Sequence, residues 1–145
     1  MKNQKKGVIY IDKRLVQDSG TYCWEDVHER IKSFLEIDEL ERICEFEYLY
    51  EEKSVDNTLN KVVMMELLHE IEKGHYKILI VDDIRHIANN IKDLNEVVKT
   101  IKKHKVRLIS IKNKTDSNYS YGEIFLDFVS VVVSLNDHEA HTHNC

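Results

Sequence analysis

The spacing of apolar residues changes several times along this 145-residue chain, and that change limits its fold more than any other feature. Short apolar runs typical of buried strands lie at 8–11, 78–81 and 106–111, and residues 43–50 alternate apolar and acidic side chains like a half-buried strand. Between these runs, apolar residues recur at the spacing of amphipathic helices. We therefore predict an α/β domain whose mostly parallel, four- to five-stranded sheet is flanked by helices.

Helices are expected between the strands and after the last one. The first begins near Thr21 or Cys23, the second stops at Gly74, and the third covers 91–101. A last apolar segment, 124–135, fits either a strand or a C-terminal helix. Because parallel strands end at one edge of a sheet, we expect function in the loops that follow them. These loops are residues 12–20, 51–60, 82–90 and 112–122.

The length fits a single domain, 1–145, with residues 1–6 and 138–145 expected to be disordered. No apolar run approaches the roughly 18 residues of a membrane span, and the chain does not open with a signal peptide. A cytoplasmic protein without membrane contacts is therefore expected. The cysteines are too scattered for a disulfide framework or a metal knuckle, and we interpret them as reduced thiols. They are Cys23, Cys44 and Cys145.

Charge is distributed unevenly along the chain. The net charge of −5 disfavours a general affinity for polyanions, so we expect weak or no DNA binding. Residues 25–52 hold 11 acids against three Lys or Arg, whereas 99–114 hold seven Lys or Arg and no acid. Both stretches fit solvated faces, and the basic one also fits an edge that contacts an anion or a partner.

Phosphate-loop and metal motifs find little support. Gly20 stands alone after the first strand, which excludes a glycine-rich phosphate loop. Asp82 and Asp83 could chelate a hard cation, but capping of the following helix is the preferred interpretation. The tail carries Zn²⁺ or Ni²⁺ donors on a chain end, where binding is weak, and we predict no metal site and no cofactor. These donors are His138, His141, His143 and Cys145.

Four segments at the predicted strand ends carry a joint pattern. The first strand closes with Tyr10-Ile11-Asp12-Lys13-Arg14, and the other segments are 61–68, 84–90 and 105–110. Together they resemble the catalytic domain of the serine recombinases, the resolvase and invertase family. That family has Tyr-x-Arg-x-Ser at the first place, Arg-Pro-x-Leu-x-x-Leu-Leu at the second, Leu-Asp-Arg-Leu-Ser-Arg-Asn at the third and Gly-Val-Arg-Leu-x-Ser at the fourth. Asp116-Ser117 and Gly122 are similar to the Asp-Thr and Gly that precede its long last helix.

The resemblance implies a resolvase-like fold and names the positions where the family's chemistry takes place. In the family, a serine hydroxyl attacks a DNA phosphodiester and arginines stabilise the charge. Here Arg14 stands at the nucleophile's place, Asp12 would repel phosphate, and realigning Ser19 would put it five residues later. We therefore predict a degenerate active site, no catalytic residue and no enzymatic activity. The degenerate positions are Tyr10, Asp12, Arg14, Lys61, Arg85, His86 and Asn89.

The end of the chain bears on association. Family members continue into a DNA-binding domain, and this chain, which ends at Cys145, is expected to lack one. The resemblance implies that the last long helix forms a dimer interface, and 124–135 is apolar enough to need a cover. The expected interface residues are Ile124, Phe125, Phe128, Val129, Val132 and Leu135.

Three functional hypotheses follow. The first is a catalytically inactive, regulatory recombinase-like protein that acts as a homodimer or by binding an active recombinase or another regulator. The second is a nucleic-acid or phosphate-ligand binding module that uses Arg14, Lys61, Arg85 and the basic stretch 99–114. The third is an enzyme with new chemistry at the strand ends. Its acids, bases or metal ligands would be Asp12, Asp82, Asp83 and His86.

Overall fold

The computed structural model describes residues 5–15, 24–52 and 61–117, which form a five-stranded sheet with helices on both faces. In chain order the elements are β1 (Lys6–Asp12), α1 (Trp24–Ile37), a 3₁₀ helix (Leu40–Arg42), β2 (Phe46–Glu51), α2 (Val62–Glu72), β3 (Tyr76–Val81), a 3₁₀ helix (Ile84–His86), α3 (Ile91–Lys103), β4 (Arg107–Ser110) and β5 (Thr115–Asp116).

The sheet has the strand order β2-β1-β3-β4-β5. β1 pairs in parallel with both β2 and β3, β3 pairs in parallel with β4, and β5 adds an antiparallel edge. This arrangement confirms the predicted α/β class and its mostly parallel sheet. It also places the ends of β1, β2, β3 and β4 at one edge, which we call the carboxyl edge.

The alternation of side chains along β1 separates two cores. Val8 and Tyr10 face the layer of α2 and α3, whereas Ile9 and Ile11 face α1. All four are fully buried, since β1 is an interior strand and helices cover both of its faces. The apolar run that predicted a buried strand therefore reflects packing on two sides.

Two details differ from the sequence prediction. The second strand begins at Phe46 and not at Ile43, because Ile43 has helical backbone angles and closes the preceding 3₁₀ helix. β5 lies inside the stretch 112–122, which we expected to be a loop, and it pairs with β4 through Thr115 and Asp116.

Other predictions concern residues that the structure describes only in part or not at all. Lys6 is the first residue of β1, whereas 138–145 and the apolar segment 124–135 lie outside the described residues. Cys44 is a free, half-buried thiol, and Cys23 and Cys145 are outside the described part. Among the described helices, none has the length and apolar content needed to cross a bilayer.

Candidate functional site

The carboxyl edge collects buried charged residues from three parallel strands and the segments that follow them. Asp12 ends β1, Glu51 ends β2, and Asp82 and Asp83 follow β3; Lys61 precedes α2. Each of these residues is at most 9% exposed. Buried charges at this density need partners, and the contacts of each acid define the site.

Asp12 is the centre of the site. Its Oδ1 accepts hydrogen bonds from the Arg14 backbone N–H at 3.0 Å and from Arg14 Nε at 2.9 Å. Its Oδ2 accepts from Arg14 Nη2 at 3.0 Å and from Lys61 Nζ. Burial alone would raise the pKa of Asp12, but the hydrogen bonds from Arg14 and Lys61 outweigh it and hold that pKa below its usual range. The same contact with Asp12 raises the pKa of Arg14.

Glu51 joins the end of β2 to the start of α2. Its carboxylate accepts hydrogen bonds from the backbone N–H groups of Val63 at 3.0 Å and Met64 at 3.1 Å, and from the Tyr10 hydroxyl at 2.6 Å. The side chain of Lys61, the N-cap residue of α2, makes no capping bond, so Glu51 satisfies these amides instead. Burial, followed by the bond to Glu51, raises the pKa of Tyr10 far above its ordinary value.

His86 binds the backbone of Asp12. Its Nδ1 accepts a hydrogen bond of 2.8 Å from the backbone N–H of Asp12. The imidazole is fully buried, and burial lowers the pKa of His86 to about 4. His86 is therefore neutral near pH 7, with its proton on Nε2.

Each of the two acids after β3 forms an ion pair with an arginine. Arg30 of α1 binds Asp82 in a bidentate pair, with Nε–Oδ1 at 2.7 Å and Nη2–Oδ2 at 2.9 Å. Asp83 caps the following 3₁₀ helix through the Arg85 N–H at 3.0 Å and also accepts from Arg85 Nη2 at 3.0 Å. Asp83 therefore caps the next helical turn, as the preferred interpretation of the pair predicted.

The predicted positions divide into three groups. Arg14 and Lys61 bind Asp12, and Tyr10 binds Glu51, which accepts from the first backbone amides of α2. His86 holds the backbone of Asp12, and Arg85 pairs with Asp83. Asn89 is exposed and lines a cleft between α2 and α3 that Lys61 also lines.

Sequence reasoning missed two residues of the site. Glu51 was named only as the start of a loop, and the alternation along the strand does not indicate that this acid is buried. Arg30 lies in the acid-rich stretch 25–52, and nothing local indicates that it reaches across to the end of β3.

The network has chemical consequences for ligands. Lys61, Arg14, Arg30 and Arg85 lie against the buried carboxylates of Asp12, Asp82 and Asp83. With Glu51 included, these four described cations are matched by four buried carboxylates. Among the described residues, no group of three or more His, Cys, Asp or Glu side chains is arranged to hold a metal ion.

Comparisons with known proteins bear on the family and the fold. A family model described as the resolvase N-terminal domain matches residues 28–143. The N-terminal catalytic domain of TP901-1 integrase superposes with a TM-score of 0.62 at 17% identity, over 94% of this chain and 100% of that one. A resolvase family site-specific recombinase from Streptococcus pneumoniae gives a TM-score of 0.58 at 15% identity, over 94% of this chain and 92% of that one. No curated protein matches this chain.

The comparisons confirm the resemblance to serine recombinases and contradict the prediction that the chain is not an enzyme. The matched family and both structures are those of recombinases, and one of the structures is a catalytic domain. The prediction was wrong because it inferred missing activity from single residues that depart from the family's motifs, at positions such as Asp12, Arg14 and Arg85. The sequence that follows Arg14 contains Ser19, which carries a hydroxyl, and residues 16–23 lie outside the described part of the chain.

Proposed function

This chain belongs to the resolvase N-terminal domain family, and from that membership we propose that it acts through protein association, as a homodimer or with an active recombinase or another regulator. The observation that carries the proposal is that the buried carboxylates described at the carboxyl edge already hold arginine or lysine partners. Both oxygens of the buried Asp12 carboxylate are already bound by Arg14 and Lys61. A DNA phosphate would have to compete with that carboxylate, so we expect weak DNA binding at this place.

The apolar composition of 124–135 supports association. Its apolar residues include two phenylalanines and four valines, and such a segment needs a cover. The resemblance implies that this segment corresponds to the helix through which members of the family form dimers. An isologous dimer would bury the segments of two copies against each other.

Exposed apolar side chains on α2 and at the start of α3 add to this support. Val62 is 51% exposed, Met65 is 68% exposed and Ile91 is 45% exposed. These exposed side chains give the described part of the domain an apolar surface that a partner could cover.

Light scattering coupled to size exclusion tests the proposal. Wild type is expected to be a dimer and Phe128→Asp a monomer, because a charge in a buried apolar interface is costly. Ser130→Asp adds the same charge to the same segment at a polar position, and this control should remain a dimer. A monomeric wild type at high protein concentration, or equal effects of the two substitutions, would contradict the proposal.

Binding of a nucleic acid by the basic stretch is the second candidate. It is favoured by six exposed lysines along α3 and around β4. They are Lys99, Lys102, Lys103, Lys105, Lys112 and Lys114.

Fluorescence anisotropy of a labelled duplex at several salt concentrations tests this second candidate. Lys99→Glu/Lys103→Glu should weaken binding and reduce its salt dependence. The control Lys73→Glu/Lys92→Glu makes the same charge change at exposed positions outside the stretch. No binding at low salt would exclude the candidate.

A further inference from the structure

Three parallel rings form a row on the side of β2 that faces α1, and we call them the ring row. The ring of Tyr48 is stacked with that of His28 at 6.1 Å between centroids, and with that of Tyr50 at 6.2 Å. Offset stacking at these distances covers each ring only in part, and Tyr48 is 38% exposed. Because the face of an aromatic ring carries negative charge density, the ring row is a surface that attracts cations.

One end of the ring row already binds a cation of this chain. Lys13 Nζ lies 4.6 Å from the centroid of the Tyr50 ring and 3.1 Å from Oε1 of Glu52. The attraction of the ring and the bond to the carboxylate act on the same ammonium group. A ring and a neighbouring carboxylate are therefore enough to hold a positive side chain on this surface.

Tyr48 and Glu41 form a second pair of ring and carboxylate. Glu41 is an exposed residue of the 3₁₀ helix that precedes β2. Burial, followed by interactions with Tyr50 and Glu41, raises the pKa of Tyr48, so Glu41 is close to this side chain. Within the described ranges, no cation lies over the Tyr48 ring and no ion pair includes Glu41. This pair can therefore bind a cation from another molecule.

β2 is an edge strand of the described sheet, and alternate backbone groups along it point away from β1. The carbonyls of Glu45 and Glu51 accept hydrogen bonds from β1 and the residue after it. Because bonding groups alternate along a strand, the N–H and C=O of Tyr48 point to the other side, where none of the described strands pairs with them. An extended chain that added to this edge would present alternate side chains next to the ring row.

We propose that the outer edge of β2 binds an extended, arginine-bearing segment of a partner protein, with one guanidinium stacked on Tyr48 and hydrogen-bonded to Glu41. Arginine fits better than lysine, because its planar group stacks on a ring and forms two bonds with one carboxylate. The stretch 25–52, which forms α1 and β2, holds 11 acids against three Lys or Arg and attracts a basic segment. The inference deepens the proposed association, on which it rests for the existence of a protein partner.

Fluorescence anisotropy of a labelled peptide of alternating threonine and arginine, titrated with the full chain, tests the inference. Tyr48→Leu should weaken binding about threefold, whereas Tyr48→Phe keeps the ring and should bind like wild type. Glu41→Gln should also weaken binding about threefold, and Tyr48→Leu/Glu41→Gln about tenfold. Glu72→Gln is the control, since it makes the same charge change at an exposed position of α2. A peptide with lysine in place of arginine should bind more weakly than the arginine peptide.

Hydrogen exchange of the complex tests the pairing with the strand edge. The Tyr48 amide should exchange more slowly when the arginine peptide is bound, because it gains a hydrogen bond. The Leu49 amide, which points to β1, should exchange at the same rate with and without the peptide.

Two results would overturn the inference: no binding of the arginine peptide to wild type at low ionic strength, or binding to Tyr48→Leu/Glu41→Gln as tight as to Glu72→Gln. If Tyr48→Leu does not fold, Glu41→Gln decides the question alone, because it alters only an exposed side chain. Neither readout involves the oligomeric state. A dimeric wild type that does not bind the peptide contradicts only this inference, and a monomeric wild type that binds it contradicts only the proposed homodimer.

Discussion

The backbone N–H of Asp12 donates a hydrogen bond of 2.8 Å to Nδ1 of His86, and this bond joins the end of β1 to the turn after β3. The two residues are 74 positions apart in the chain. A neutral imidazole is required, because a protonated His86 would present an N–H to another N–H. The position of Asp12, and with it the positions of its cations, therefore depends on the protonation state of a buried histidine.

This relationship predicts a loss of stability at mildly acidic pH. The pKa of His86 is about 4 in the folded protein, against an ordinary value of 6.5. Between these values the unfolded chain takes up a proton that the folded protein does not, and this proton stabilises the unfolded chain. The stability of the protein with neutral His86 is therefore fully present above pH 6.5 and is lost as the pH falls towards 4. The difference between the two pKa values corresponds to a loss of about 3 kcal/mol in the free energy of unfolding once the pH is below both of them. Urea unfolding from neutral pH to pH 4.5 should show the free energy of unfolding falling.

His86→Asn separates this effect from other titrations. Its amide oxygen can accept the Asp12 N–H without titrating. Between neutral pH and pH 4.5 the free energy of unfolding should therefore fall by about 2 kcal/mol less for this variant than for wild type. His69→Asn alters an exposed histidine and should keep the wild-type pH dependence. The assignment fails if wild type and His86→Asn lose stability in parallel over this range.

Glu51 is predicted to be the most sensitive acid of β2. Glu51→Gln should cost about 2 kcal/mol, because it weakens the capping of Val63 and Met64 and replaces an anion near the positive end of α2. Glu47→Gln changes a half-buried acid of the same strand and should cost less than about 0.5 kcal/mol. Urea unfolding of both variants tests this. Equal losses in the free energy of unfolding would contradict the assignment of Glu51 as the cap of α2.

The order of the elements was predictable because each one satisfies a local rule. Val8–Ile11 is buried on both faces, α3 begins at Asn90, whose side chain accepts from the Asp93 N–H at 2.8 Å, and α2 ends before Gly74, which has a positive φ of 82°. These signals are contained in a few neighbouring residues. β5 was not predictable in the same way, because two residues gain strand geometry only from the edge of β4.

The site was predictable only in outline. The rule for parallel strands placed Asp12, Asp82 and Asp83 at one edge without regard to their partners. Which cation neutralises which acid depends on contacts between distant segments, such as the 52 positions that separate Arg30 and Asp82. The effect of Asp12 was foreseen as repulsion of phosphate, whereas the structure shows it bound to Arg14 and Lys61.

Arg30 is predicted to matter because Asp82 is fully buried. Arg30→Leu should cost about 3 kcal/mol, since it leaves the Asp82 carboxylate without its bidentate partner. Adding Asp82→Asn should restore at least half of that loss, because the buried charge is then absent. A double-mutant cycle from urea unfolding measures the coupling, and additive losses would contradict a direct interaction.

Gly7 and Gly74 are predicted to resist substitution for different reasons. A Cβ at Gly7 would lie 2.2 Å from the ring of Phe46, so Gly7→Ala should cost about 2 kcal/mol through a steric clash between β1 and β2. Gly74 has open space but a φ of 82°, so Gly74→Ala should cost about 1 kcal/mol through backbone strain. Phe46→Leu should rescue a large part of the first loss and none of the second, because only the clash involves the ring. Thermal and urea unfolding of the three single and two double variants would decide this, and rescue of both glycine variants would contradict the steric explanation.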